Sequence, residues 1–162
     1  YAPDEHISQE QTLAPFFLGE INSLQDVVKK TYWNNLDLIP ANLTLYSVEL
    51  ELPVLYEKSN VAGSDIQIHR LLHDGINTLE KDYDIIVIDC PPAMSILNTN
   101  ALYAANGLVI PVPPELPDIA SMVQFFGMIE GTLEKFPSKE FNFVRILITK
   151  HDGSVTNHSV SE

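Results

Sequence analysis

The sequence predicts an α/β fold, a parallel sheet flanked by helices. Three observations carry that expectation. First, Asp84-Ile85-Ile86-Val87-Ile88-Asp89-Cys90-Pro91-Pro92 sets a run of Ile and Val before an acid and two prolines. The run does not alternate with polar residues, so it reads as a strand buried on both faces. Pro91 and Pro92 cannot continue a ladder, so the strand stops there and Asp89 falls at its carboxyl end. Second, strand patterns alternate with helix patterns from residue 36 onward, the signature of βαβ units. Third, the strand ends at Asp89 with Pro91-Pro92, at Pro111 to Pro114 and at Thr149 to Asp152 are expected along one sheet edge. Open α/β folds place their ligands at such an edge.

Taken in order, residues 1–12 are polar and read as a loop or tail. Leu13 to Phe17 is a short apolar patch broken by Pro15. Ser23 offers an N-cap with Asp26 three residues on, and Leu24, Val27 and Val28 follow at helical spacing. Lys29-Lys30 suit the carboxyl end of that helix. Leu36 to Ile39 alternates and stops at Pro40, so it reads as a short strand. From Asn42 the pattern fits either element. Val48, Leu50 and Leu52 alternate like a strand, while Leu43, Tyr46 and Leu50 keep helical spacing, and Pro53 is expected to end either one. Gly63-Ser64 is a loop. Asp65 caps a helix with Ile68, Leu71, Leu72, Ile76 and Leu79 on one stripe, interrupted by Gly75. Gly75 costs about 1 kcal/mol relative to Ala in a helix interior.

After the Asp84–Asp89 strand, Asn98 to Ala105 is a small helix with Ala101, Leu102 and Ala105 inward. Leu108 to Val112 is a strand that runs into a proline-rich turn, Pro113 to Pro117. Asp118 caps a long helix with Ile119, Met122, Phe126, Ile129, Leu133 and Phe136 on one side. Phe143 to Thr149 is the last strand, followed by the loop Lys150 to Ser154 and a polar tail.

Composition bounds the function. The 162 residues suit one domain with a substantial core, and the 45% hydrophobic content is that of a soluble globular protein. No apolar run approaches the roughly 20 residues of a membrane span, so no membrane partner is expected. Tyr1 to Glu5 is neither a signal nor a transit peptide. The single cysteine excludes an internal disulfide and fits a reducing, cytoplasmic compartment. The formal charge of −13, from 22 acids against 9 Lys plus Arg, repels nucleic acid and anionic membrane at long range. DNA binding would have to draw on residues outside this chain.

Asp89 is the leading chemical candidate. A carboxylate at a sheet edge suits Mg²⁺, directly or through water, beside a nucleotide phosphate. Its neighbour Cys90 is either a nucleophile or, the preferred reading, a small buried hydrophobe. His69 and His73 share a helix face at a spacing that suits zinc, but a solvated surface pair is the better reading. Tyr32 and Trp33 offer a stacking surface, with core packing preferred. Met122, Phe125 and Phe126 read as core. The sequence has no G-x-x-x-x-G-K-[ST] loop, no G-x-G-x-x-G and no Ser-centred elbow.

Thr31 to Leu43, Tyr83 to Pro92, Pro111-Val112-Pro113-Pro114 and Ile148-Thr149-Lys150 together resemble ParA-type partition ATPases, of the plasmid ParA and RepA kind. The resemblance runs from about Thr12 to Ser154. It implies a P-loop NTPase-like domain over 1–162, incomplete at the amino end. The family's deviant Walker A loop and its Asp-x-Asp-Pro-Gln switch have no counterpart here, and its carboxyl-terminal helices are expected beyond this chain. The resemblance makes Asp89 the Walker B-type acid, catalytic and supporting Mg²⁺ through water. It makes Pro91 and Pro92 the nucleotide-sensing segment. Pro113, Thr149, Lys150 and Asp152 fall near the nucleotide. Thr149-Lys150-His151-Asp152 also has the T-K-x-D form of a guanine pocket, but ATP is the main reading. The resemblance implies a homodimer, ATP with Mg²⁺ as cofactors, nonspecific DNA bound through other regions and a ParB-like partner that stimulates hydrolysis. Without a phosphate loop, this chain alone is expected neither to hydrolyse ATP nor to bind it tightly. The alternatives are a non-catalytic pairing module and a MinD-like nucleotide-dependent accessory protein.

Overall fold

A computed structural model describes residues 7–61, 67–91, 95–113 and 116–150. The chain divides into two compact units, Tyr1–Ala104 and Ala105–Glu162. Each is described by itself.

The first unit is built on a core of Ala14, Phe17, Leu24, Val48, Leu52, Leu72, Leu79 and Ala101. Its first helix, α1 (Ala14–Phe17), begins in the patch that Pro15 interrupts. Pro15 lies in the first turn, where its missing N–H has no helical partner to lose. Ser23 acts as predicted, its hydroxyl accepting from the Gln25 N–H at 3.2 Å. It starts only a 3₁₀ turn, Leu24–Val27, and not the longer helix. Lys29–Lys30 instead form strand β1, paired antiparallel with β2 (Asp37–Leu38). The hairpin prevails because its strands pair and Thr31 Oγ1 closes the turn by donating to the Leu36 carbonyl at 2.6 Å. Asn35 supplies the left-handed residue the turn needs, at φ 61°. Tyr32 and Trp33 lie on this hairpin, exposed, with ring centroids 4.1 Å apart and planes tilted by 38°. The core packing expected of them is therefore not found.

The ambiguous segment is a helix, α2 (Leu45–Val61), and it runs through Pro53 instead of ending there. Pro53 is exposed, so the helix bond its missing N–H forgoes lies on the wet side, where water replaces it. A 3₁₀ turn (Ile68–Arg70) leads into α3 (Leu71–Asn77), and Asp65, the predicted cap, lies outside the described residues. All five residues of the predicted stripe enter the core or pack on it. Gly75 is explained by closeness: a Cβ there would stand 2.5 Å from the Phe16 ring and 3.0 Å from Leu24. Helix α4 (Ile96–Ala104) completes the unit and buries Ala101 and Leu102 as expected.

The second unit holds a parallel pair with a helix between its strands. Strand β3 (Gly107–Val112), α5 (Leu116–Leu133) and β4 (Phe143–Ile148) follow one another. The ladder is in register from Gly107↔Phe143 to Val112↔Ile148. This is the predicted βαβ pattern. Ile110, Val112 and Ile129 are buried, whereas Met122, Phe125 and Phe126 are half-buried. Gly107 fits beneath the Phe143 ring, whose space a Cβ would invade. Among the described residues no helix is long and apolar enough to cross a membrane.

The Asp84–Asp89 stretch departs most from expectation. Among the described residues it pairs with no strand. It is not buried on both faces, since Ile85 is 79% exposed and Val87 85%. The apolar pattern sets what the side chains prefer, but a ladder also needs a neighbouring backbone.

Candidate functional site

The Asp89 segment is fixed at three points although it carries no ladder. At its start, the Tyr83 hydroxyl donates to Asp37 Oδ2 at 2.6 Å. Lys30 Nζ reaches the same oxygen at 2.7 Å. The hydrogen bond from Lys30, then that from Tyr83, holds the Asp37 carboxyl below its ordinary value. In return the bond to Asp37 pushes the Tyr83 phenol up to about 12. Midway, Ile88 packs against the core. At the end, buried Asn98 on α4 donates from Nδ2 to the Pro91 carbonyl at 2.8 Å, and its own N–H donates to Ser95 Oγ at 3.3 Å. Asp89 stands exposed two residues before that anchor point, able to take an external ligand. Pro92 lies outside the described residues.

Cys90 corrects an expectation. It is exposed, not a buried hydrophobe. Desolvation by the groups around it, then the Asp89 charge, pushes its thiol up. A thiol held protonated is a poor nucleophile, so the nucleophilic reading stays unsupported.

In the second unit the ends of β3 and β4 come together. The Thr149 N–H donates to the Val112 carbonyl at 3.0 Å, which places Pro113 and Thr149 side by side beyond the ladder. Both are half-buried, and Lys150 is exposed. Lys150 takes φ 56°, so the chain turns sharply as it leaves β4. A left-handed conformation is uncommon at a non-glycine residue. Asp152 lies outside the described residues.

The histidine pair is not solvated as expected. His69 and His73 are half-buried and meet the Tyr103 ring edge-on, at 5.0 and 5.6 Å between centroids. Burial, then the charge of Arg70, holds His69 below its ordinary value. Among the described residues no group of His, Cys, Asp and Glu is clustered to hold a metal ion. The pair therefore reads as packing around Tyr103.

Sequence reasoning missed two asparagines. Asn98 holds the Pro91 carbonyl. Asn100, fully buried, accepts from the Leu72 N–H at 3.1 Å and donates to the Ile68 and Ile96 carbonyls at 2.9 and 3.0 Å. It caps the amino end of α3 from a different helix, because Arg70 at the cap position supplies no side-chain bond. The available signal was two asparagines in a short helix that is otherwise mostly apolar.

A single hard carboxylate fits Mg²⁺, which is commonly held by one or two carboxylates together with substrate phosphates. Asp89 would be the residue to hold it, and the ion would offset phosphate charge there.

A family model described as an AAA domain matches residues 4–140. Protein SopA of Escherichia coli (strain K12) is 39% identical over 155 residues, covering 95% of this chain and 39% of SopA. The chain thus spans about two fifths of that relative's length. Among solved structures, a partition protein superposes with a TM-score of 0.76 at 22% identity, over 98% of this chain and 47% of that one. The cobyrinic acid a,c-diamide synthase of Mycobacterium smegmatis, with a bound ATP analog and magnesium, superposes with a TM-score of 0.77 at 21% identity, over 99% of this chain and 59% of that one.

Proposed function

Because this chain belongs to the AAA-domain family, as one of its ParA-type partition ATPases, we propose that it supplies part of a nucleotide site in a protein that segregates plasmid or chromosomal DNA. The observation that carries the reading is the exposed Asp89 carboxylate, two residues before the Pro91 carbonyl that Asn98 holds. Asp89 supports Mg²⁺ beside the terminal phosphate, commonly through water. Pro91 and Pro92 sense nucleotide state, and the Asn98 bond to the Pro91 carbonyl passes it to α4. Pro113, Thr149, Lys150 and Asp152 border the nucleotide. ATP binding favours a homodimer, a ParB-like protein stimulates hydrolysis, and DNA is gripped by regions other than this acidic chain.

The chain has no phosphate-cradling glycine-lysine loop in its sequence. Alone it therefore turns over no ATP and binds it weakly. Turnover by the isolated chain that Asp89→Ala abolishes would overturn that statement. In cells, Asp89→Ala in the gene encoding this segment is expected to raise plasmid loss per generation. Unchanged retention would remove Asp89 from the mechanism.

One observation favours a second reading, a non-catalytic pairing module. Ile85 and Val87 offer exposed apolar surface for association. Light scattering that finds a dispersed monomer at high concentration argues against it.

A further inference from the structure

Helix α2 is apolar on both of its long faces. Leu45, Val48 and Leu52 point into the core of the first unit. Tyr46, Leu50 and Val54 line the other side and are 66%, 77% and 49% exposed. Leu43, 80% exposed, extends the line at its amino end, where its carbonyl accepts from the Tyr46 N–H at 3.1 Å. These residues recur at steps of three, four and four, which is one stripe along a helix. Scattered exposed apolar residues need no explanation, but an aligned stripe of large ones marks an interaction face.

The borders of the stripe say what covers it. At 100° per residue Glu49 falls on one side of the Leu50 line and Glu51 on the other, and Glu57 follows one turn beyond Val54. Among the described residues none of these acids takes part in an ion pair. A second copy laid antiparallel about Leu50 would bring Glu49 and Glu51 against their own counterparts, and each chain carries a charge of −13. We propose that the outer face of α2 docks an amphipathic helix of a partner protein, with leucine-like side chains set between Tyr46, Leu50 and Val54 and Lys or Arg residues over the three glutamates. The stripe from Leu43 to Glu57 runs about 20 Å, the length of four helical turns of partner. None of its residues belongs to the candidate nucleotide site, so the proposal does not rest on that reading.

The test uses the whole chain and a labelled 16-residue amphipathic peptide with Leu along one face and Lys on its flanks. A peptide with Glu for Lys and a scrambled peptide serve as controls. Fluorescence anisotropy is expected to show binding of the basic peptide alone, weakening as salt rises. Tyr46→Ser with Leu50→Ser is expected to weaken it at least about tenfold, a typical anchor-residue effect, with an unchanged thermal midpoint because both side chains are exposed. Glu49→Lys with Glu51→Lys is expected to transfer preference to the acidic peptide. Failure of the basic peptide to bind would overturn the proposal, as would equal binding of the scrambled peptide or indifference to either double variant. A concentration-dependent dimer that Leu50→Ser dissolves would assign the face to a second copy instead.

Discussion

Ile85 and Ile110 are the same residue in the same kind of apolar run, yet Ile85 is 79% exposed and Ile110 7%. Ile110 lies on β3, which pairs in register with β4 and packs beneath α5. Ile85 lies in a stretch that pairs with no strand among the described residues. Both runs are rich in Ile and Val, so composition does not separate them. What differs is the neighbour. The β3 run meets its partner strand and its covering helix within the next 36 residues, from Val112 to Ile148. The Asp84–Asp89 run is instead tethered through side chains, by Tyr83 to Asp37 and by Asn98 to the Pro91 carbonyl. An apolar run thus sets the faces a strand will bury, and topology decides whether anything buries them.

The largest expected effect lies on the paired side. Ile110→Ala should cost about 2–5 kcal/mol, the range for truncating a buried Ile. It is read as a lowered urea midpoint by circular dichroism. A cost under about 1 kcal/mol would mean that β3 is no better buried than the unpaired run.

Next comes the polar bracing of the first unit. Asn100→Leu removes the acceptor of the Leu72 N–H and the donor to the Ile68 carbonyl inside the core. At about 1–2 kcal/mol for each stranded group, the lower part of the range for a buried unsatisfied group, a total of roughly 2–4 kcal/mol is expected. Asn100→Ser serves as a milder variant for mapping the loss by hydrogen exchange. Protection should fall first at the Leu72 amide. Uniform loss over the whole unit would show that Asn100 is not a local cap.

These two residues also mark how far the sequence was legible. Elements β3, α5 and β4 and the stripe of α3 were readable because their signals are local periodicities, with Pro113 following β3 and Pro137 following α5. Pro53 misled because its cost depends on which side of α2 it occupies, and exposure is a tertiary property. The Asp37–Tyr83 bond joins residues 46 apart, and Asn100 reaches Leu72 across 28. No window of sequence contains either pair. In the candidate site, Pro113, Thr149 and Lys150 were legible as lying at strand ends, whereas the strand expected before Asp89 and Pro91 has no partner among the described residues. The role of Asn98 was not legible, because it depends on how α4 lies against Pro91.

A smaller effect tests the tether at Tyr83 through pH. The folded phenol titrates at about 12 and the ordinary value is 10.0. The pKa is raised on folding, so the contribution is whole below pH 10.0 and is lost as pH rises from there through about 12. Asp37 runs the other way. Its carboxyl lies below the ordinary 3.8, so its contribution is whole above that pH and is lost as pH falls below it. The thermal midpoint of the native chain should therefore drop more between pH 9 and pH 11.5 than that of Tyr83→Phe. Equal drops would remove the Tyr83–Asp37 bond from the account.

The smallest stability effect belongs to the unpaired run, and it is the sharpest contrast with Ile110. Ile85→Thr with Val87→Thr leaves only exposed positions altered, so stability should change by no more than about 0.5 kcal/mol. Solubility should change more. Both side chains are apolar, exposed and β-branched, on a backbone with no ladder partner among the described residues, which is the surface that recruits further strands. Threonine keeps the β-branch while removing the apolar end, so backbone preference is held and only stickiness is reduced. Light scattering at rising concentration should show less association for the double variant than for the native chain. The same pair of changes at Ile110 and Val112 should instead unfold the second unit, since both are buried there. Indistinguishable behaviour of the two double variants would mean that the exposed run is covered in solution and that the difference between Ile85 and Ile110 is not one of partners.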